Sequence, residues 1–175
     1  MSLRIFLGHG ASGTSASMAP FVDGLRARGF AATAIDLPRR KAEEALPAFH
    51  GAVPDDADVV VGGHSFGGRV ASLAAAEPDA PYAALVLFSY PLHPPGGPER
   101  AAARIEHWPR IRCPVLLLSG ESDPFARIGL LRDGVRQLPH AELVTYPKLG
   151  HTLKPVLDDA LDRVAAFLHV VPRSG

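Results

Sequence analysis

Three short stretches, far apart in the chain, carry residues of the types and in the order that nucleophilic chemistry requires. Gly63-His64-Ser65-Phe66-Gly67 matches G-x-S-x-G, with an apolar run before it and an Ala-rich helical pattern after it. A serine on such a sharp strand-to-helix turn projects its Oγ above a sheet. The residues two before and two after it must be nearly side-chain-free. The amide of Phe66 then points at the same place, at the start of a helix whose dipole favours negative charge. A serine hydroxyl is a weak nucleophile until a base takes its proton and an acid orients the base. "SGESDPF" supplies Glu121 and Asp123, and "KLGHTLK" supplies His151. Asp123, before a proline and further past the apolar run, is preferred over Glu121 as the acid. His151 alone among the eight histidines stands third in the order Ser…Asp…His at a strand-to-helix junction.

A fourth stretch, "LGHGASGTSAS", has two readings. Gly8, Gly10 and Gly13 have the G-x-G-x-x-G spacing of a dinucleotide-binding turn, with Asp36 at the ribose distance. The same residues form an HG-rich loop that can supply half of an oxyanion hole. A dinucleotide turn would start its helix at once and bury Pro20 in its interior, where proline is not tolerated. The helix is therefore expected to begin near Met18–Pro20, leaving Gly10–Ser17 as a wide loop with Ala11 as amide donor beside Phe66. His9 and His93 are further candidates for substrate contact; His9 could instead brace the oxyanion loop, and His93 could instead cap a turn. His64 is expected to pack. His50, His107, His140 and His169 read as surface or helix-edge residues, and Asp123 and Glu121 could each be no more than turn or cap carboxylates.

These residues need a scaffold that brings strand ends together. Short apolar runs occur at Arg4–Leu7, Ala32–Ile35, Val59–Val61, Leu85–Phe88, Val115–Leu118 and Leu143–Tyr146. They are too continuous for half-exposed strands and read as strands covered on both faces. Between them lie helical faces: Met18, Phe21, Val22 and Leu25 with Gly29 as a stop; Leu131, Val135 and Leu138; and Leu157, Leu161, Val164 and Leu168. The alternation implies one doubly wound α/β domain over residues 1–175, with a mainly parallel six-stranded sheet and helices on both faces. Ligands of such sheets bind outside the carboxyl ends of the strands. "SYPLHPPGGPER" interrupts the pattern as a Pro-rich rim at about 89–108, with a short helix across Ala101–His107.

Composition removes several alternatives. Across 175 residues, eighteen basic side chains balance eighteen acidic ones without a long block of either sign. Neither nucleic acid nor an anionic membrane is an expected partner. The single cysteine, Cys113, excludes a disulfide framework and a Cys-based zinc site, and it reads as a small buried hydrophobe. No secretory pattern or membrane-length apolar window is seen, so a cytoplasmic location is expected. No metal or organic cofactor is required, and the expected partner is a small-molecule acyl substrate.

With loop, elbow, acid and histidine in this order, the chain resembles the α/β-hydrolase superfamily along nearly all of its length. "GGHSFGG", "LLLSGESDPF", "GHTLK" and "YPLHPPGGPE" are more narrowly similar to small bacterial hydrolase-like proteins. That subgroup is related to dienelactone hydrolases and to hydrolase-like domains of testis-expressed and chromatin-complex proteins. The resemblance implies Ser65 as nucleophile, His151 as base and Asp123 as its partner. The superfamily's first antiparallel strand pair is not expected here, and a serine stands where dienelactone hydrolases carry cysteine, so lactone specificity is not expected to carry over. The expected activity is hydrolysis of a small carboxylic ester; the rivals are a hydrolase-fold scaffold without turnover and a nucleotide-binding α/β protein. Only about twenty-six residues separate Phe88 from Val115, too few for a large lid, so short acyl chains are expected.

Overall fold

A computed structural model describes residues 2–173. Within them are six strands: β1 (Arg4–Gly8), β2 (Ala31–Ile35), β3 (Val59–His64), β4 (Ala84–Phe88), β5 (Val115–Gly120) and β6 (Ala141–Tyr146). Six α-helices accompany them: α1 (Ala19–Ala27), α2 (Leu46–Ala52), α3 (Phe66–Ala75), α4 (Ala101–Ile105), α5 (Ile128–Val135) and α6 (Leu157–Val170). The strands form one sheet in the order β2-β1-β3-β4-β5-β6, and all five pairings are parallel.

Alternation along the strands explains why both faces are covered. Val59, Val61, Leu85, Leu87, Val115 and Leu117 point to one side, where they meet α2, α3, α5 and the segment around Trp108. Val60, Val86, Phe88, Leu116 and Leu118 point to the other, against α1 and α6. A strand with apolar residues on both faces is stable only between two helical layers. Each fully buried leucine contributes roughly 2 kcal/mol of hydrophobic stabilisation. The two edge strands are less covered: β6 is half-exposed or exposed throughout, and β2 exposes Ala31 and Thr33.

Each expected strand is present, extended by one to three residues at one end or the other. Pro20 lies in the first turn of α1, preceded by a 3₁₀ turn at Ser15–Met18. The loop reading of the glycine-rich stretch therefore holds. Gly29 ends α1 at φ 89°, and the Phe30 amide returns to the Leu25 carbonyl at 3.1 Å, a left-handed cap that glycine adopts without strain. α2 has no counterpart among the expected helices: it is seven residues long, opens on Leu46-Pro47 and buries mainly Phe49, too little to show a period.

The Pro-rich segment is anchored at its ends, where Tyr90, Leu92, His93 and Trp108 are buried, while Pro95, Gly96, Glu99 and Arg100 between them are exposed. His107, expected as a surface or helix-edge residue, lies just past the end of α4 and is 3% exposed.

Candidate active site

The chain reverses direction across the sheet between β1 and β3, and there the two strand ends approach to backbone contact. β3 runs straight into α3 through Ser65, whose φ of 50° and ψ of −117° are a conformation that non-glycine residues rarely hold. Its amide is tied to the Phe88 carbonyl of β4 at 2.8 Å, and the Gly67 amide to the His9 carbonyl at 2.9 Å. A Cβ on Gly67 would fall on the Gly8 carbonyl, and one on Gly63 would stand 2.6 Å from Gly8 O. The two glycines of the motif are thus required by the closeness of β1.

The loops after β5 and β6 are strapped together in the same way. Glu121 N donates to Tyr146 O and Ser122 N to Leu149 O, each at 2.9 Å. A Cβ on Gly120 would overlap the Leu149 and Gly150 carbonyls. This closeness brings Asp123 and His151 into one hydrogen-bonded chain with Ser65. His151 Nδ1 is 2.8 Å from Asp123 Oδ2, and His151 Nε2 is 2.9 Å from Ser65 Oγ. Asp123 is 4% exposed, and its other oxygen accepts the Phe125 amide at 2.8 Å. Phe125 lays its ring 4.4 Å from the imidazole, 35° off parallel. With Nδ1–H directed at the carboxylate, Nε2 is the acceptor that faces the serine proton.

Glu121 does not compete for the imidazole. Its carboxylate accepts from Thr145 Oγ1 at 3.1 Å and from Arg132 at 3.0 Å. His64 packs as expected: its ring lies 5.3 Å from that of His151 and 6.1 Å from that of Phe21. Burial, and then the neighbouring His151, hold its imidazole below the ordinary histidine range. Cys113 is half-buried, and burial pushes its thiol up to about 12, which leaves it an inert thiol.

The expected amide donors, Ala11 and Phe66, share a small cleft of about 170 Å³. Neither N–H has an acceptor among the described residues. Open amides at a helix start are what an oxyanion would need. The same cleft is walled by Arg39 and Arg40, which are absent from the residues that sequence motifs single out. The one available signal is their place, just past the carboxyl end of an apolar run. On the other side, a mainly apolar cleft of about 390 Å³ opens between His64, Phe21, Met18, Leu153 and Leu157.

For His9 and His93 the reading as substrate contacts gives way to the alternative of a structural role. His9 and His93 are 2% and 3% exposed, and both ring nitrogens of each are taken by backbone groups. His9 Nε2 accepts from the Leu37 amide at 2.9 Å, so its Nδ1–H donates to Gly10 O at 2.7 Å. His93 Nε2 accepts from the Arg127 amide at 3.0 Å, and its Nδ1–H donates to Pro94 O at 2.8 Å. Neither has an atom left for a substrate. His9 instead braces the loop of Ala11 against the exit of β2, and His93 braces the rim against the loop of Asp123. Asp36 is a brace as well. Its carboxylate takes the amide of Ser15 at 2.8 Å and the hydroxyl at 3.0 Å, which hold it below the usual carboxylate range.

Among the described residues no group of three or more His, Cys, Asp or Glu side chains is gathered as a metal site would need, and no helix is long and apolar enough to cross a membrane.

The sheet order, the elbow and the loop contacts define an α/β-hydrolase fold. A family model described as an alpha/beta hydrolase domain matches residues 38–170, and the chain belongs to that family. The fold is similar to that of a monoacylglycerol lipase from Paleococcus ferrophilus, at TM-score 0.77 and 16% identity over 95% of this chain and 96% of that one. A Pyrococcus furiosus esterase gives TM-score 0.76 and 18% identity, covering 96% and 81%. A dienelactone hydrolase from Anabaena variabilis gives TM-score 0.71 and 24% identity, covering 98% and 88%. No curated protein sequence matches the chain.

Proposed function

We propose that the protein is a serine hydrolase that cleaves a small carboxylic ester through an acyl-enzyme. The observation that carries this reading is the unbroken chain from Asp123 Oδ2 through His151 to Ser65 Oγ, with contacts of 2.8 and 2.9 Å. Ser65 Oγ forms a bond to the carbonyl carbon while its proton passes to His151 Nε2. Asp123 fixes the Nδ1–H tautomer and stabilises the imidazolium. The amides of Ala11 and Phe66 receive the oxyanion, each donor contributing roughly 3 kcal/mol. Collapse breaks the bond to the leaving oxygen, which takes the proton from Nε2. Water then repeats the sequence in reverse, and the acid leaves.

The leaving group must depart on the side of His151, where Thr152 and Leu153 help to wall the apolar cleft. The acyl group lies on the Ala11–Phe66 side, in the smaller cleft. With only about twenty-six residues between β4 and β5, too few for a large lid, long acyl chains would lie in water, where added methylenes gain nothing. The expected optimum of kcat/KM is therefore at acetyl to butyryl esters, and a peak at octanoyl or beyond would overturn it. A fluorophosphonate probe tests the chemistry itself. Labelling and ester turnover by the wild type, both lost in S65A, support the reading. A wild type that neither labels nor turns over any ester of the panel favours a scaffold.

A further inference from the structure

We infer that Arg39 and Arg40 form a carboxylate-binding subsite for the acyl end of the substrate, which makes half-esters of short dicarboxylic acids the preferred class. This rests on the proposed hydrolase reading, and it adds a charge that the reading does not require. Four residues wall the small cleft: Ala11 and Phe66, the proposed oxyanion donors, and the two arginines. No residue of the His151 loop shares it, whereas the larger cleft is walled by Thr152 to Lys154 of that loop as well as by Gly10, Ser12 and Gly13, so a group held in the smaller cleft is assigned to the acyl side.

The segment that carries the arginines is fixed to the oxyanion loop rather than hanging beside it. The Leu37 amide donates to His9 Nε2, and the Asp36 carboxylate holds Ser15 through two hydrogen bonds. The Leu37 side chain packs against Gly8, close enough that a Cβ there would stand 2.9 Å from it. These ties set where residues 38–40 emerge, on the same face as Ala11.

The charge balance at this place is positive. Neither guanidinium has a hydrogen bond or ion pair with a described residue. Lys41 follows them on the exposed surface. Of the nearby acids, Glu43 is paired with Arg69 at 2.9 Å, while Asp36, held by the neutral Ser15, and the exposed Glu44 keep their charge: two negatives against the three positives of Arg39, Arg40 and Lys41. A guanidinium presents a planar fork that matches a carboxylate, and two of them beside open amides favour a second negative group next to the developing oxyanion. The remote carboxylate undergoes no bond change; it only anchors the acyl chain.

The test compares phenyl half-esters from succinyl to adipyl with neutral phenyl esters of matched length, each rate corrected with S65A protein. The quantity read is the ratio of kcat/KM for the charged to the neutral ester. In the wild type this ratio is expected to exceed one by roughly tenfold at its best length, the scale of a charge-assisted hydrogen bond at a partly exposed site. R39Q/R40Q is expected to bring it down to about one. R136Q/R163Q, which removes two positive charges near the end of α5 and on α6, is expected to leave it unchanged. A wild-type ratio at or below one, or a ratio that survives R39Q/R40Q, overturns the subsite while ester turnover still supports the hydrolase. If no ester turns over, calorimetric binding of glutarate decides: affinity lost in R39Q/R40Q supports the subsite, and no binding by the wild type overturns it.

Discussion

Helix α3 and the residue that precedes it carry two serine–histidine pairs of nearly equal length, and the geometry gives them opposite hydrogen-bond roles. At its start, Ser65 Oγ lies 2.9 Å from His151 Nε2; two turns on, Ser72 Oγ lies 2.8 Å from His107 Nε2. In the first pair the far nitrogen faces a buried carboxylate, which commits Nδ1–H and leaves Nε2 to accept. In the second pair Ser72 donates its only proton to the Arg69 carbonyl at 2.7 Å, so His107 must be the donor at Nε2. An imidazole that donates to a serine cannot deprotonate it. The pairs also differ in backbone and access: Ser65 is held at a left-handed φ above the sheet, whereas Ser72 is mid-helix and fully buried. A short Ser–His contact therefore says little until the acid, the tautomer and the approach are known.

The largest effect expected from this contrast is on turnover. S65A should lower kcat for a short-chain ester on the order of a millionfold, the scale seen when a triad nucleophile is removed. S72A should turn over at the wild-type rate per folded molecule. Equal losses in the two variants, measured on protein whose folding has been checked by circular dichroism, would erase the distinction.

The acid comes next. D123N offers the imidazole an amide in place of a carboxylate and permits the wrong tautomer, so kcat is expected to fall about 10⁴-fold. E121Q weakens contacts to Arg132 and Thr145 that do not reach the imidazole, and a change of no more than about threefold is expected. The reverse ranking would reassign the acid.

The two pairs should also separate by pH. Burial, with Arg69 and Arg110 nearby, pushes the His107 imidazole from an ordinary 6.5 down to about 4. Between those values the unfolded chain binds a proton that the folded chain refuses. The stabilisation is full above about pH 6.5 and is lost as the pH falls toward 4, to the extent of about 3 kcal/mol. His64, lowered mainly by burial, adds to the same slope. Urea midpoints measured from pH 7.5 to about 4.5 should fall for the wild type and fall much less for H107Q. An unchanged slope in H107Q would show that other groups set the acid limit.

How much of the molecule is legible in the sequence follows from where the physical signal is local. The elbow can be read because Gly63 and Gly67 are dictated by a backbone approach that recurs wherever a strand turns into a helix at that angle. Pro20 decides the loop by itself, through its missing amide hydrogen. The strands are visible because two-sided burial leaves an apolar run. By contrast, His9, His93 and His107 take their roles from partners 28, 34 and 35 residues away. His9 can be read as a possible brace from its place at the end of an apolar run, but nothing beside His93 or His107 in the chain identifies the group that each one holds. Arg39 and Arg40 are hidden for the same reason: they look like a solvated dipeptide until β2 is placed beside β1.

The smallest effect expected is also the one that tests how the second pair is held. S72A removes the acceptor of His107 Nε2–H in a site with no exposure, and an orphaned donor costs about 1–3 kcal/mol. Alanine is the better helix former by a few tenths of a kcal/mol, which offsets part of that cost. A net loss of about 1 kcal/mol, or about 2–4 °C in Tm for a domain of this size, is the expected result. H107L alone removes the donor but leaves the Ser72 bond to Arg69 O in place. In S72A/H107L no donor is left unpaired, so the double variant should cost less than the sum of the two singles. If the losses simply add, the 2.8 Å contact is a coincidence of packing and not a coupled pair.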